Sequence, residues 1–150
     1  MTPFSSVYDA FFRLITDDMY MEISEEETRE DCKDLLLSSI PMFEFPSEVI
    51  DVTANETFTR DLSLEEINIL AYGMLQQWLQ RQITSVELVR QKFSGVDFKL
   101  TSQASHLQRL MSLFTQTKDE YRRLMMINTR RERVGNKYES TFGMMVKPMK

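Results

Sequence analysis

The spacing of apolar and polar positions along the chain predicts a mainly helical protein. Val7, Phe11, Leu14 and Ile15 recur at helical intervals, Ser5 or Ser6 can cap this first helix, and Phe4 can pack back on its first turn. Ser24 with Glu27 forms a capping box for a second helix, whose apolar face is Cys32, Leu35, Leu36 and Ile40 and whose end is marked by Pro41. The clearest pattern starts at Ser63. With Glu66 it makes another capping box, followed by Leu64, Ile67, Leu70, Ala71, Met74, Leu75, Trp78 and Leu79. The same face continues through Ile83, Val86, Val89 and Phe93, with a bend expected near Thr84–Ser85 and a stop at Ser94–Gly95. Gly73 inside this helix gives up about 1 kcal/mol of helix propensity and leaves room for another helix to come close. After an extended link from Val96 to Leu100, Thr101 or Ser102 opens a long polar helix reaching about Arg133.

Two stretches break the helical period. Between 47 and 61, Glu48–Val52 and Thr57–Arg60 flank a turn at 53–56 and read as a small β-hairpin or arm. A two-stranded unit of this size needs support from its own helices or from a neighbouring chain. Val49, Ile50, Val52, Phe58 and Arg60 are therefore candidate subunit-interface residues. From Gly135 to Lys150 no helical period remains, and an extended tail is expected. The expected plan is a body over 1–134, a helical bundle with two long helices and the β arm, followed by a tail over 135–150.

Charge sharpens this plan. The chain of 150 residues has a formal net charge of −5, which disfavours general affinity for nucleic acid or anionic membrane. That total is unevenly spread. Residues 118–150 hold nine Lys/Arg and four Asp/Glu, whereas residues 1–117 hold nine basic and nineteen acidic residues. An acidic body thus carries a basic end. The 11 Met and 10 Phe, both suited to cores and to adaptable interfaces, are the other unusual entries in the composition.

Catalytic chemistry finds little purchase. Cys32 is the lone cysteine, which rules out an intrachain disulfide and a cysteine-based zinc site and fits a reducing compartment. No run of about 18 apolar residues is present for a membrane span, and the first residues lack the pattern of a signal peptide. His106 is the single histidine, read as a surface or cap residue, and four scattered glycines cannot build a phosphate-cradling loop. Asp17, Asp18 and Glu22 are the one carboxylate set to weigh as a metal-dependent hydrolase, against the plainer reading of a solvated or partner-facing face. No metal, no cofactor and no enzymatic activity are expected.

The basic end is more suggestive. Arg122, Arg123, Arg130, Arg131 and Arg133, with Tyr138 nearby, can grip DNA, RNA or an acidic protein surface, or form a solvated helix face. In a self-associating chain the basic end of one copy can also meet the acidic body of the next. Phe142, Met144, Met145 and Val146 give the tail an apolar stretch that has reason to dock, as an added strand or in a groove.

The run LSLEEINILAYGMLQQWLQRQI (62–83), followed by QKFSGVDFKLTSQASHLQRL (91–110) and preceded by PMFEFPSEVIDVTANETFTRDL (41–62), resembles the neck proteins of tailed bacteriophages, the head–tail connectors or adaptors. The resemblance covers about residues 43–110. It implies a mostly helical, non-enzymatic virion protein, assembled in the host cytoplasm as a homo-oligomeric ring of twelve subunits beneath the portal protein. Such a ring extends the DNA channel, lets DNA pass without sequence-specific contacts, and docks a tail-side neck or stopper protein. Residues 122–150 would then reach the portal. The alternative class is a helical nucleic-acid-binding module, such as a DNA-packaging recognition subunit.

Overall fold

Two capping boxes start the helices that organise the molecule. In the computed structural model, which describes residues 1–15, 24–92, 97–134 and 137–140, the chain runs through four α-helices. These are α1 (Phe4–Leu14), α2 (Glu25–Ser39), α3 (Leu64–Lys92) and α4 (Asp97–Thr129). A 3-10 turn at Ile40–Met42 follows α2, and a two-stranded sheet, β1 (Arg131–Val134) with β2 (Lys137–Ser140), follows α4. The protein is mainly helical. At Ser24 the hydroxyl accepts from the Glu27 amide at 3.2 Å and the Glu27 carboxylate accepts from the Ser24 amide at 3.2 Å. At Ser63 the same reciprocal pair closes at 3.2 and 3.0 Å with Glu66. Each box satisfies two amides that the first turn leaves without partners.

α3 is the central element and packs on α1, α2 and α4. Its core stripe runs through Ile69, Leu70, Met74, Trp78, Leu79 and Ile83. α1 sets Phe4, Val7 and Phe11 against it, and α2 sets Cys32, Leu35 and Leu36. α4 folds back antiparallel along α3, burying Leu107, Leu110, Thr117, Tyr121 and Met125 at steps of three, seven, four and four residues, with half-buried Phe114 between Leu110 and Thr117. The closest approach is at Gly73. A Cβ there would lie 2.9 Å from Ser39 Cβ and 3.2 Å from the Tyr121 hydroxyl, so a hydrogen is what lets α2, α3 and α4 meet.

Several expectations are corrected. α1 is preceded by Pro3 as its cap residue with no side-chain cap bond, because the helix has already begun at Phe4, ahead of Ser5 and Ser6. Leu64 is 84% exposed rather than core, since it shares a face with exposed Asn68 and the buried stripe passes through Glu66 and Ile69 instead. α3 runs unbroken through the expected bend at Thr84–Ser85, where the Thr84 hydroxyl bonds back to the Gln80 carbonyl at 2.9 Å, a back-bond of the kind that bends helices. The stop expected at Ser94–Gly95 lies outside the described residues. α4 opens at Asp97, so the extended link expected through Leu100 is mostly helix.

α4 also ends early, at Thr129, and Arg131 and Arg133 belong to β1 rather than to the helix. The sheet is antiparallel with Val134 opposite Lys137 and Arg133 opposite Tyr138. Part of the segment expected as tail is therefore paired, while residues 141–150 lie outside the described residues.

The 47–61 segment contains isolated antiparallel bridges rather than a ladder. Val52 pairs with Phe58, Pro3 pairs with Thr57, and the Thr53 and Thr59 amides bond to the Thr57 and Asp51 carbonyls at 2.8 and 3.0 Å. The first residues lie alongside: the Phe58 amide bonds to the Thr2 carbonyl at 2.8 Å and Phe4 stacks tilted on Phe58 at 5.1 Å. The segment is thereby held to the chain's own helices.

Candidate docking groove at the end of the long helix

The residues after α2 shape a surface feature. Pro41 is the second residue of the 3-10 turn, the Phe43 amide closes it on the Ile40 carbonyl at 3.2 Å, and Phe43 is buried at 5% exposure. The Glu44 amide then bonds to Met125 Sδ at 3.4 Å, tying this loop to α4. Phe45 follows with φ of 54°, a left-handed conformation that a non-glycine residue rarely adopts, at a cost of about 1–3 kcal/mol. Its ring is 75% exposed. A large aromatic is thus turned to solvent at an unfavourable backbone conformation.

Beside it lies a hollow of about 520 Å³ bounded by Glu44, Phe45, Arg122, Met126 and Arg130. Arg122, Met126 and Arg130 fall at i, i+4 and i+8, so they form one stripe along the end of α4 and the turn after it. All three are exposed, Met126 at 53%. Neither arginine forms an ion pair with a described residue. Arg123 does not join them. Its guanidinium clasps Glu120 at 2.8 and 2.6 Å, which lowers the Glu120 carboxyl below its ordinary range.

The other sequence candidates disperse. Arg131, Arg133 and Tyr138 stand in the β1–β2 sheet, with Arg133 opposite Tyr138 in register. Phe142, Met144, Met145 and Val146 lie outside the described residues, as do Asp17, Asp18 and Glu22. Of the five arm residues, Val49 and Val52 are exposed, at 73% and 40%. Phe58 and Ile50 are spent on the chain's own core, and Arg60 is committed to Glu66, so these three do not offer a free surface. His106 is exposed. Among the described residues no group of three or more His, Cys, Asp or Glu is arranged to hold a metal ion, and no helix is long and apolar enough to cross a membrane.

Sequence reasoning named Arg122 and Arg130 but missed Phe45 and Met126. The signal for Phe45 was the Phe-Glu-Phe run before Pro46, where alternation sends one ring inward and the other out.

Opposite in charge is the outer face of α2. Its two cations are drawn aside: Arg29 and Lys33 both bind Glu56, at 2.8 and 3.2 Å, and their bonds hold the Glu56 carboxyl below its ordinary range. Glu56 is itself at φ of 56°. Glu26, Glu30 and Asp34 remain exposed at successive i+4 steps, followed by Leu37 at 39% exposure. A second hollow, of about 390 Å³, lies inward of α2 between Phe4, Tyr8 and Cys32. Burial pushes the Cys32 thiol up to about 12, with Asp31 adding and Arg81 opposing.

Comparison of the chain with family models, with curated proteins and with solved structures gives no match.

Proposed function

We propose that this chain is a structural subunit of the neck of a tailed phage: a head–tail connector that forms a ring on the portal, lengthens the DNA channel and docks a tail-side protein. The observation that carries the reading is Phe45, held exposed at positive φ beside Arg122, Met126 and Arg130. Such a surface suits a protein partner better than a small substrate, since its apolar centre stands proud and its charges flank it. The resemblance of about residues 43–110 to phage adaptors supplies the kind of partner. In this reading the arm over 47–61 faces a neighbouring subunit through Val49 and Val52, and the apolar tail to Lys150 reaches the portal.

Purified protein mixed with portal rings and imaged by electron microscopy tests the reading. A closed ring seated on the portal is expected. Truncation after Ser140 preserves the β1–β2 sheet while removing the apolar tail, and is expected to abolish seating. Undiminished seating by the truncated chain contradicts the tail assignment, and no association of the full chain with any portal contradicts the neck reading.

A second reading draws on the same arginines. Arg122 and Arg130, about 12 Å apart along the end of α4 and the residue after it, can each grip a backbone phosphate. It predicts binding of the isolated protein to duplex DNA that falls steeply with salt.

A further inference from the structure

The groove at the end of α4 and the outer face of α2 are complementary in charge and spacing. Glu26 and Asp34 are eight residues apart, as Arg122 and Arg130 are, which places each pair about 12 Å apart along its helix. Laid side by side, the two stripes give each arginine a carboxylate, with Glu30 between them within reach of either. Leu37, one turn beyond Asp34, adds an exposed apolar residue to the same α2 face. The Glu56 clasp on Arg29 and Lys33 is what clears this α2 face of positive charge.

We propose that the occupant of the Phe45 groove is the α2 acidic stripe of a second copy of this chain. The proposal deepens the neck reading and rests on it for the ring, because a contact between two different surfaces can repeat head to tail and close. Both surfaces are present in every copy, so the chain carries its own complementary partner. Exposed carboxylates on an acidic body and arginines that have no ion-pair partner among the described residues are then two halves of one interface. Charged groups flanking an apolar centre also make association fast and sensitive to salt.

Charge exchange provides the test. The variants R122E/R130E and E26K/E30K/D34K alter exposed side chains, and circular dichroism with thermal melting checks that each keeps its fold. In sedimentation velocity, the wild-type chain is expected to self-associate, more strongly at low than at high salt. Each variant alone is expected to weaken association by at least about tenfold. An equimolar mixture of the two is expected to recover it, since both reversed pairs are again complementary. Phe45→Ala, which leaves every charge in place, is expected to weaken association as well.

Variants that associate as the wild type does, or a mixture that fails to recover, overturn the contact. So does a wild-type chain that stays monomeric while Arg122 and Arg130 bind portal or duplex DNA. The neck reading fails separately. An assembly that obeys the charge exchange yet never seats on a portal, or that stops at a reciprocal dimer, leaves the contact standing and removes the ring.

Discussion

Arg60 and Glu66 form a two-pronged ion pair, 2.7 and 2.9 Å, that locks the 47–61 segment onto the first turn of α3. Glu66 is 2% exposed and also accepts from the Ser63 amide at 3.0 Å and the Ser47 hydroxyl at 3.3 Å. Arg60 donates further to the Glu48 carbonyl at 3.0 Å. One carboxylate therefore serves as helix cap and as anchor for the loop. Burial pushes its pKa upward, but the Arg60 bond, the Ser63 amide and the Arg60 charge outweigh that and hold it below the ordinary range.

A depressed carboxylate pKa makes the pair stabilising above the unfolded value of about 4.3 and lost as pH falls through the folded value. Stability is expected to decline in acid below about pH 4. Glu66→Gln removes the two-pronged carboxylate, leaving Arg60 the more distant Glu48 carboxylate at 3.8 Å, and is expected to cost about 2 kcal/mol at pH 7. Urea midpoints of wild type and variant between pH 7 and 3 check both statements: the two curves should converge in acid, and a constant gap would contradict the assignment.

Gly73 is a contact point rather than a helix defect. Gly73→Ala gains about 1 kcal/mol of helix propensity but drives a methyl group to 2.9 Å from Ser39 Cβ. Overpacking of this kind costs about 1–3 kcal/mol, so a net loss near 1 kcal/mol is expected. Gly73→Val should lose more. Denaturant titration measures it, and a stabilised alanine variant would mean that α2 and α4 can retreat freely.

Cys32 is 1% exposed, and burial pushes its thiol up to about 12. Almost no thiolate is then present at pH 8, and reaction with a thiol reagent must wait for opening of the α1–α2 packing. Labelling in native buffer is expected to be at least about a hundredfold slower than in denaturant. Rapid native labelling would show that this part of the core opens readily.

Phe45 separates folding from association. Phe45→Gly removes the left-handed strain at φ of 54° and is expected to hold or raise the melting temperature, while the self-association proposed above is expected to be lost in sedimentation. A glycine variant that both melts early and still associates would place Phe45 in the core instead of at a partner.

The helical elements were legible because each is written locally. Ser24–Glu27 and Ser63–Glu66 are reciprocal caps three residues apart, and Leu35, Leu36, Leu70, Met74 and Trp78 mark faces by period alone. Gly73 as a point of close approach was legible for the same reason. The end of α4 was misjudged because a basic, weakly apolar run satisfies helix and strand alike, and the Gly135–Asn136 turn signal was the stronger cue. Leu64 was misjudged by two helical positions, since period alone does not say on which side the first turn meets its neighbours.

By itself, the sequence determined that four helices form, where two of them start, and that acidic and basic residues are segregated along the chain; these follow from caps, periods and counts. Only the tertiary structure decided which charges are already spent and which are free. Glu56 absorbs Arg29 and Lys33 across a separation of more than twenty residues, and Glu66 absorbs Arg60. The same packing turned Phe58 inward and Phe45 outward. Those outcomes depend on contacts between segments distant in the chain, which no local pattern encodes.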